Sequence, residues 1–227
     1  TKSKESPYGS FSDYTTLMPY DTPYLNGDLV KRLPYSSMVS TVNNPLYEAT
    51  LNNYEWSAYD EVVDNLSANW YLNDYLTLKG QFSITRQYTS SERFYDPLSS
   101  KVSVLGTKDS NLQGDLYTGN GGSLSWNANA FLYYTRSFGK HNFNFSAGWE
   151  ASASTTDNTS AHYRGFPSGQ FSSLNYAAEV YGKPTRTENT TRLVSTLATM
   201  NYTWNDIYLA DASVRFDGSS EFGANQK

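Results

Sequence analysis

The sequence predicts an all-β protein, a segment of an antiparallel transmembrane β-barrel with about six long strands in three hairpins. Three observations carry this prediction. Apolar and polar residues alternate along six extended stretches, turns of about two to four residues join these stretches in pairs, and loops of roughly thirty residues separate the pairs. Short turns at one end and long loops at the other are typical of bacterial outer-membrane barrels, whose turns are periplasmic and whose long loops are extracellular.

The predicted strands alternate with period two, so that each has one apolar and one polar face. In the first strand Leu66 and Trp70 alternate with Asn69, and in the last strand Ala212 and Val214 alternate with Ser213. The six strands are predicted at 62–72, 75–88, 123–137, 141–155, 190–204 and 207–218. Residues 1–61 contain several prolines, which predicts a long extracellular excursion with at most short strands, one of them near Met38–Val42.

Aromatic residues gather at two levels of the predicted apolar face. One group lies close to the short turns, whereas Trp126 and Trp149 lie near the opposite ends of their strands. At about 3.3 Å per residue and a tilt of about 40°, the two levels are roughly 23 Å apart, close to the height of the apolar band of an outer-membrane barrel. The predicted aromatic girdle consists of Trp70, Trp126, Tyr134, Phe143, Trp149, Tyr202, Trp204 and Tyr208.

The other face of the strands is polar and is predicted to line the lumen or to contact a plug. Its candidate residues are Asn69, Gln81, Asn127, Asn129, Asn144, Glu150, Asp211 and Arg215. The long loops Glu92–Gly122 and Asp157–Pro184 carry rings that are expected to contact a ligand, a partner or another loop. These candidate rings are Phe94, Tyr95, Tyr117, Tyr163, Phe166 and Tyr181.

Composition agrees with a barrel and excludes several other classes. Charged residues make up 17% and aromatic residues 16% of the chain. A mean hydropathy of −0.62 is compatible with a barrel, because only every second residue of a strand faces lipid. The absence of cysteine excludes disulfides, thiolate metal sites and cysteine nucleophiles. The net charge of −5 argues against nucleic-acid binding. No signal peptide opens the chain, which is expected of a mature protein or a fragment.

No enzyme or cofactor motif is recognisable. His141 and His162 have no second ligand at a metal-site spacing and are predicted to be surface residues. Asp60 and Glu61 are adjacent, so on a strand they face opposite ways and cannot act as a glycosidase pair. No cofactor is predicted. A calcium site in the loops is conceivable from their carboxylates, without the spacing of a known motif: Asp96, Asp109, Asp115 and Asp157.

Two other classes compete with the barrel. In a soluble sandwich or jelly roll the apolar face would be buried against a second sheet, and its rings could form a platform for sugar in a secreted carbohydrate-binding domain. Soluble sandwiches have shorter strands at more even spacing than these. An enzyme is the third class and has the least support.

The C-terminal part of the chain resembles a signature of the SusC/RagA family of TonB-linked transporters. The run from Asn201 to Ala210 (NYTWNDIYLA) is followed by Val214–Ser220 (VRFDGSS) and by Phe222-Gly223. Asn44–Ala49 (NPLYEA) is similar to that family as well. Glu221 departs from the pattern, because a basic residue is expected there, and this change would affect a salt link on the inner wall or rim.

The resemblance implies a function and partners. Members of this family are barrels of about 22 strands with an N-terminal plug. They reside in the bacterial outer membrane, in contact with lipid and lipopolysaccharide. There they import glycans or peptides together with a SusD-like surface lipoprotein, driven by TonB. Residues 62–227 would then be a segment of the barrel wall, and the plug and the TonB-contacting segment would lie outside this chain. Six strands cannot close a barrel, so the chain is expected to be part of a larger protein.

Overall fold

The structure is a computed structural model, and it describes residues 2–4, 11–15, 17–33, 43–102 and 112–221. Short elements come first: β1 (Lys2–Lys4), α1 (Phe11–Thr15), β2 (Tyr24–Leu25), β3 (Asp28–Leu29) and α2 (Pro45–Glu48). Six long strands follow: β4 (Tyr54–Asn73), β5 (Leu76–Tyr95), β6 (Asp115–Phe138), β7 (His141–Arg164), β9 (Thr185–Trp204) and β10 (Tyr208–Ser219). Between β7 and β9 lie the 3-10 helix Leu174–Tyr176 and β8 (Glu179–Val180). Within the described residues, no helix is long and apolar enough to cross a membrane.

The long strands pair in chain order. The sheet runs β1-β4-β5-β6-β7-β9-β10, with β8 added to β7, and β2 and β3 form a separate hairpin. The registers of β1 with β4, of β7 with β8 and of β9 with β10 are antiparallel. The predicted all-β fold with three long hairpins is therefore confirmed.

The strands extend further from the short turns than the sequence pattern predicted. β4 begins at Tyr54 instead of residue 62, and β6 begins at Asp115 instead of residue 123. β5 and β7 likewise continue to Tyr95 and Arg164. The extensions of β5 and β7 are rich in Ser, Thr and charged residues, that of β6 contains three glycines, and that of β4 mixes rings with acidic residues. None of them continues the long run of alternating aliphatic and polar residues from which the strands were predicted. The strand predicted near Met38–Val42 lies outside the described residues.

The turn between β9 and β10 has the geometry of a tight hairpin. Asn205 and Asp206 both have positive φ, 53° and 57°. The backbone N–H of Ile207 donates to the carbonyl of Trp204 at 3.1 Å. Both residues have the left-handed φ that a type I′ turn requires at its two central positions, and the loop between the paired residues Trp204 and Tyr208 has three residues. Asn and Asp tolerate the left-handed conformation better than most residues do, which explains their use here.

The described residues form two compact units, each contributed by several segments of the chain. The first comprises 1–60, 89–121 and 158–187. It holds the core cluster Phe94, Leu116 and Phe166, against which Tyr54 and Tyr163 pack. The rings of Phe94 and Phe166 meet edge to face at 5.2 Å between centroids. A continuous small core of this kind gives the unit its own stability.

The second unit comprises 61–88, 122–157 and 188–227 and includes the three short turns. Its apolar face is open: Leu66 is 69%, Val214 48% and Phe216 71% exposed. In a soluble sandwich these side chains would be buried against a second sheet. Their exposure is the arrangement that a lipid-facing wall requires.

Candidate functional site

The register of β9 and β10 separates an apolar from a polar face. Ala212 lies opposite Met200, and Val214 lies opposite Ala198, all on the apolar side. Ser213 pairs with Thr199 on the other side. Because a shift of one residue would exchange the two faces, this register fixes which residues can meet lipid.

Rings gather on the apolar face beside the short turns, as the girdle prediction requires. Trp204 and Tyr208 stack at 5.4 Å between centroids, and Phe143 and Tyr202 approach to 4.6 Å. His141 joins this cluster, since its Nδ1 lies 2.7 Å from the hydroxyl of Tyr202. The side chains of Trp70 and Trp149 are exposed, Trp126 is just exposed and Tyr134 is half-buried. The role of these residues at a membrane interface stays a prediction.

Four of the predicted lumen-facing residues belong to one polar network. Asn127 donates through Nδ2 to Oε1 of Glu150 at 3.5 Å, and Asn129 donates to Asn127 at the same distance. Arg215 forms an ion pair with Glu150 at 3.8 Å and donates from Nε to Asp217 at 2.7 Å. Polar side chains at this face are thus held by one another.

The other four candidates on the polar face lie outside this network. Asp211 accepts a hydrogen bond from Asn201 at 2.7 Å. Asn69, Gln81 and Asn144 have exposed side chains. Sequence reasoning did not include Phe131 and Tyr133, which lie at 6.3 Å between centroids, nor Lys79, whose Nζ lies 5.0 Å from the Tyr133 ring centroid.

The first unit contains an open polar groove of about 770 Å³. Its lining residues come from β4, β5, β6 and β7: Glu55, Trp56, Ser57, Ser91, Glu92, Arg93, Tyr117, Thr118, Gly119, Asn158 and Ser160. Arg93 binds Glu55 with two nitrogens, Nε at 2.7 Å and Nη2 at 2.5 Å. Glu92 accepts a hydrogen bond from the hydroxyl of Tyr54. Burial and this hydrogen bond raise the pKa of Tyr54 to about 12.

Tyr117 is a groove residue whose ring is held by neighbouring side chains. Its ring stacks on His162 at 4.0 Å between centroids with an interplanar angle of 17°. His162 in turn lies 2.6 Å from Oδ1 of Asp115, which is 2% exposed. Burial, followed by the nearby charge of Asp115, raises the pKa of Tyr117. His162 was predicted to be a loop residue at the surface; it is instead half-buried on β7.

The predicted loop rings divide into two groups. Phe94 is fully buried and Phe166 is 4% exposed, so both pack in the core and present no face to a ligand or partner. Of the contacts expected for these two residues, the one with a ligand or partner is wrong, and the one with another predicted loop is the contact that the structure shows. Tyr95, Tyr117 and Tyr163 lie on strands and Tyr181 lies in the segment after β8. For these four a role in binding stays a prediction.

The Asn44–Ala49 stretch anchors two loops, a role that the sequence did not indicate. Asn44 caps α2 by accepting from the N–H of Leu46, and its Nδ2 donates to the carbonyls of Pro23 and Val30 at 3.0 and 2.7 Å. Glu48 accepts hydrogen bonds from Asn53, Ser99 and Ser100. Both side chains are buried. The buried polar pattern of this motif is therefore structural.

Two of the four carboxylates considered for calcium, Asp96 and Asp115, have hydrogen-bond or ion-pair partners within the protein. Asp96 accepts from the N–H groups of Asn52 and Leu98, and Asp115 contacts His162 and Arg164. Asp109 lies outside the described residues. Among the residues that the structure describes, no group of three or more His, Cys, Asp or Glu side chains could hold a metal ion.

Comparison with known proteins agrees with the resemblance read from the sequence. No family model matches the chain. It is 32% identical over 98 residues to TonB-dependent receptor P3 of Formosa agariphila, a match that covers 43% of this chain and 10% of the receptor. The structure of the RagAB peptide transporter superposes with a TM-score of 0.72 at 22% identity, covering 89% of this chain and 22% of that one. The open-open and closed-closed states of the RagAB peptide importer give TM-scores of 0.69 at 24% identity.

The chain spans about a tenth of the receptor and less than a quarter of the RagAB chains. These relatives are a receptor and transporters rather than enzymes, in agreement with the prediction that the chain is not part of an enzyme. Part of the chain is thus similar in sequence to a TonB-dependent receptor, and the chain shares its fold with a part of the RagAB structures. The predicted resemblance to TonB-linked transporters of the SusC/RagA type is therefore confirmed as a resemblance.

Proposed function

We propose that this chain is a wall segment of a TonB-dependent transporter that lies in the bacterial outer membrane and imports nutrients, glycans or peptides. The observation that carries the proposal is the open apolar face of the second unit, bordered by rings at the short turns. About 0.8 kcal/mol is gained for each methylene group that leaves water, so an apolar face of this extent favours contact with hydrocarbon.

The polar face then lines the lumen or contacts the plug. Its network of Asn127, Glu150 and Arg215 is hydrophilic without a strong excess of either charge. Such a wall suits the passage of polar solutes and the docking of a plug domain. The segments at the ends of the strands away from the turns lie outside the cell, where a SusD-like lipoprotein covers the mouth of the barrel. The transport role is supported by the similarity to a TonB-dependent receptor and to a peptide transporter.

A pair of arginine substitutions tests the orientation of the sheet. Ala212 and Ser213 are adjacent on β10 and lie on opposite faces. In the protein that contains this chain, Ala212→Arg should destabilise the barrel by about 2–4 kcal/mol, because the charge enters the hydrocarbon layer. Ser213→Arg places the same side chain on the polar face and should change stability little. The readout is the amount of folded, heat-modifiable barrel in the outer-membrane fraction.

The same experiment addresses the competing soluble domain. A membrane barrel remains with the outer membrane until detergent is added. Recovery of the wild-type protein in the aqueous fraction without detergent would contradict the proposal. So would equal losses of folded protein for the two arginine variants.

A further inference from the structure

The polar groove of the first unit has the chemistry of a saccharide site. We propose that it binds a ring of a neutral oligosaccharide, with Tyr117 as the stacking platform. This inference rests on the proposed function and names the substrate class of the same transporter. Three features support it: the side chains that hold the Tyr117 ring in place, the polar groups that surround this ring and the charge of the groove.

The platform is held in place before any ligand arrives. Asp115 is buried and lies 2.6 Å from Nε2 of His162, and the imidazole stacks on one face of the Tyr117 ring. Tyr95 meets the same ring edge to face at 6.3 Å between centroids. Tyr117 nevertheless remains 39% exposed. A ring that is fixed from behind and open in front loses little conformational entropy when a ligand stacks on it.

Gly119, two residues along the same strand, allows Ser91 to pack closely against the backbone of β6. A Cβ atom at this position would lie 2.6 Å from Oγ of Ser91, so a larger residue would displace this side chain, which lines the groove.

The groups around the ring suit sugar hydroxyls. The groove offers a planar carboxylate–guanidinium pair, Glu55 with Arg93, the amide of Asn158 and the hydroxyls of Ser57 and Ser160. Planar groups of this kind can exchange two hydrogen bonds with neighbouring hydroxyls. One apolar ring face and several placed polar groups are the combination that fixes a small ligand in orientation.

A peptide fits the groove less well. Among the residues that the structure describes, no aliphatic side chain lines it, so these residues offer no pocket for the apolar side chains of a peptide. Its lining strands β4, β5, β6 and β7 are paired with one another, so that a peptide backbone would find no free strand edge within them. Glu55, Glu92 and Arg93 leave no excess of positive charge, which disfavours sulfated or uronic-acid sugars.

Binding measurements on the complete detergent-solubilised protein test the assignment. The probes are maltohexaose, cellohexaose and mannohexaose as neutral sugars, chondroitin sulfate hexasaccharide as an acidic sugar, and a mixture of random pentapeptides. At least one neutral probe should bind, and Tyr117→Ala should weaken it about tenfold. Tyr117→Phe, which keeps the ring, should retain most of the affinity. Tyr176→Ala removes an exposed ring outside the groove and is the matched control.

His162→Ala provides a second variant that leaves Tyr117 intact. It should weaken the same neutral probe by a smaller factor, because the platform loses its support. Binding of only the acidic sugar or only peptides overturns the proposal, as does the absence of binding to every probe. A neutral probe whose affinity is the same in Tyr117→Ala and in Tyr176→Ala overturns it too. Each of these outcomes leaves the transporter assignment standing, because that assignment is tested by membrane fractionation.

Discussion

Single buried polar residues hold neighbouring segments of the first unit together. Glu48 is 8% exposed, and its two carboxylate oxygens accept from the side chain of Asn53, from both hydroxyls of Ser99 and Ser100 and from the backbone N–H of Ser100. A carboxylate with this many donors is stable in a buried position even though burial alone would disfavour its charge. Its removal would leave several donors without an acceptor.

We expect Glu48→Ala to open the segment 97–102 locally. The cost should be about 1–3 kcal/mol, because buried donors lose their acceptor. Hydrogen exchange at the N–H of Ser100, which donates to Glu48 at 2.7 Å, reports this directly. Glu61→Ala, at an exposed position of β4, serves as the control and should leave the protection of Ser100 unchanged. Unchanged protection in Glu48→Ala would show that the segment is held by other contacts.

Among the elements, the β9–β10 hairpin depends on a turn with two left-handed residues. Asn205 has φ of 53°, and its N–H donates to the carbonyl of Lys140 at 2.7 Å. Asn205→Gly should keep or slightly increase stability, since glycine adopts positive φ without steric cost. Asn205→Val should lower the free energy of unfolding by about 1–2 kcal/mol, because a β-branched side chain clashes in this conformation.

Unfolding of the refolded protein in urea, followed by the electrophoretic shift of the barrel, measures both variants. The backbone N–H of residue 205 is present in each of them, so the difference isolates the conformational preference. Equal stability of the Gly and Val variants would mean that the turn relaxes to another type.

The sequence predicted the strands and hairpins whose residues alternate between apolar and polar. The three hairpins followed from alternation on either side of a short turn, and the paired residues of β9 and β10, such as Val214 with Ala198, confirm the predicted faces. The extensions away from the turns lack a long run of alternating aliphatic and polar residues, so the same rule did not predict them. Contacts between residues that are far apart in the chain leave no pattern in the sequence either. Phe94 with Phe166, and His162 with Asp115, were therefore not foreseen.

At the scale of the whole molecule, the position of the sheet in the bilayer can be read from its tryptophans. Trp70 and Trp204 lie beside the short turns, whereas Trp126 and Trp149 lie further along their strands, 12 residues before Phe138 and 8 residues after His141. Trp56 instead lines the polar groove. If the two levels are girdles, all four rings of the apolar face sit at headgroup depth, because indole prefers the interface between hydrocarbon and water.

We therefore expect lipids brominated near the headgroup to quench these four tryptophans more than lipids brominated near the chain ends. In the reconstituted protein, Trp204→Phe and Trp149→Phe should each reduce the component quenched by the shallow bromine. Trp56→Phe should leave this component unchanged, which makes it the matched control. One variant probes a ring beside a short turn and the other a ring further along its strand, so together they compare the depth of two positions as well as their contact with lipid. Deeper quenching of Trp149 than of Trp204 would show that only one ring level lies at an interface, and the apolar band would then be taller than the 25 Å or so of an outer-membrane barrel.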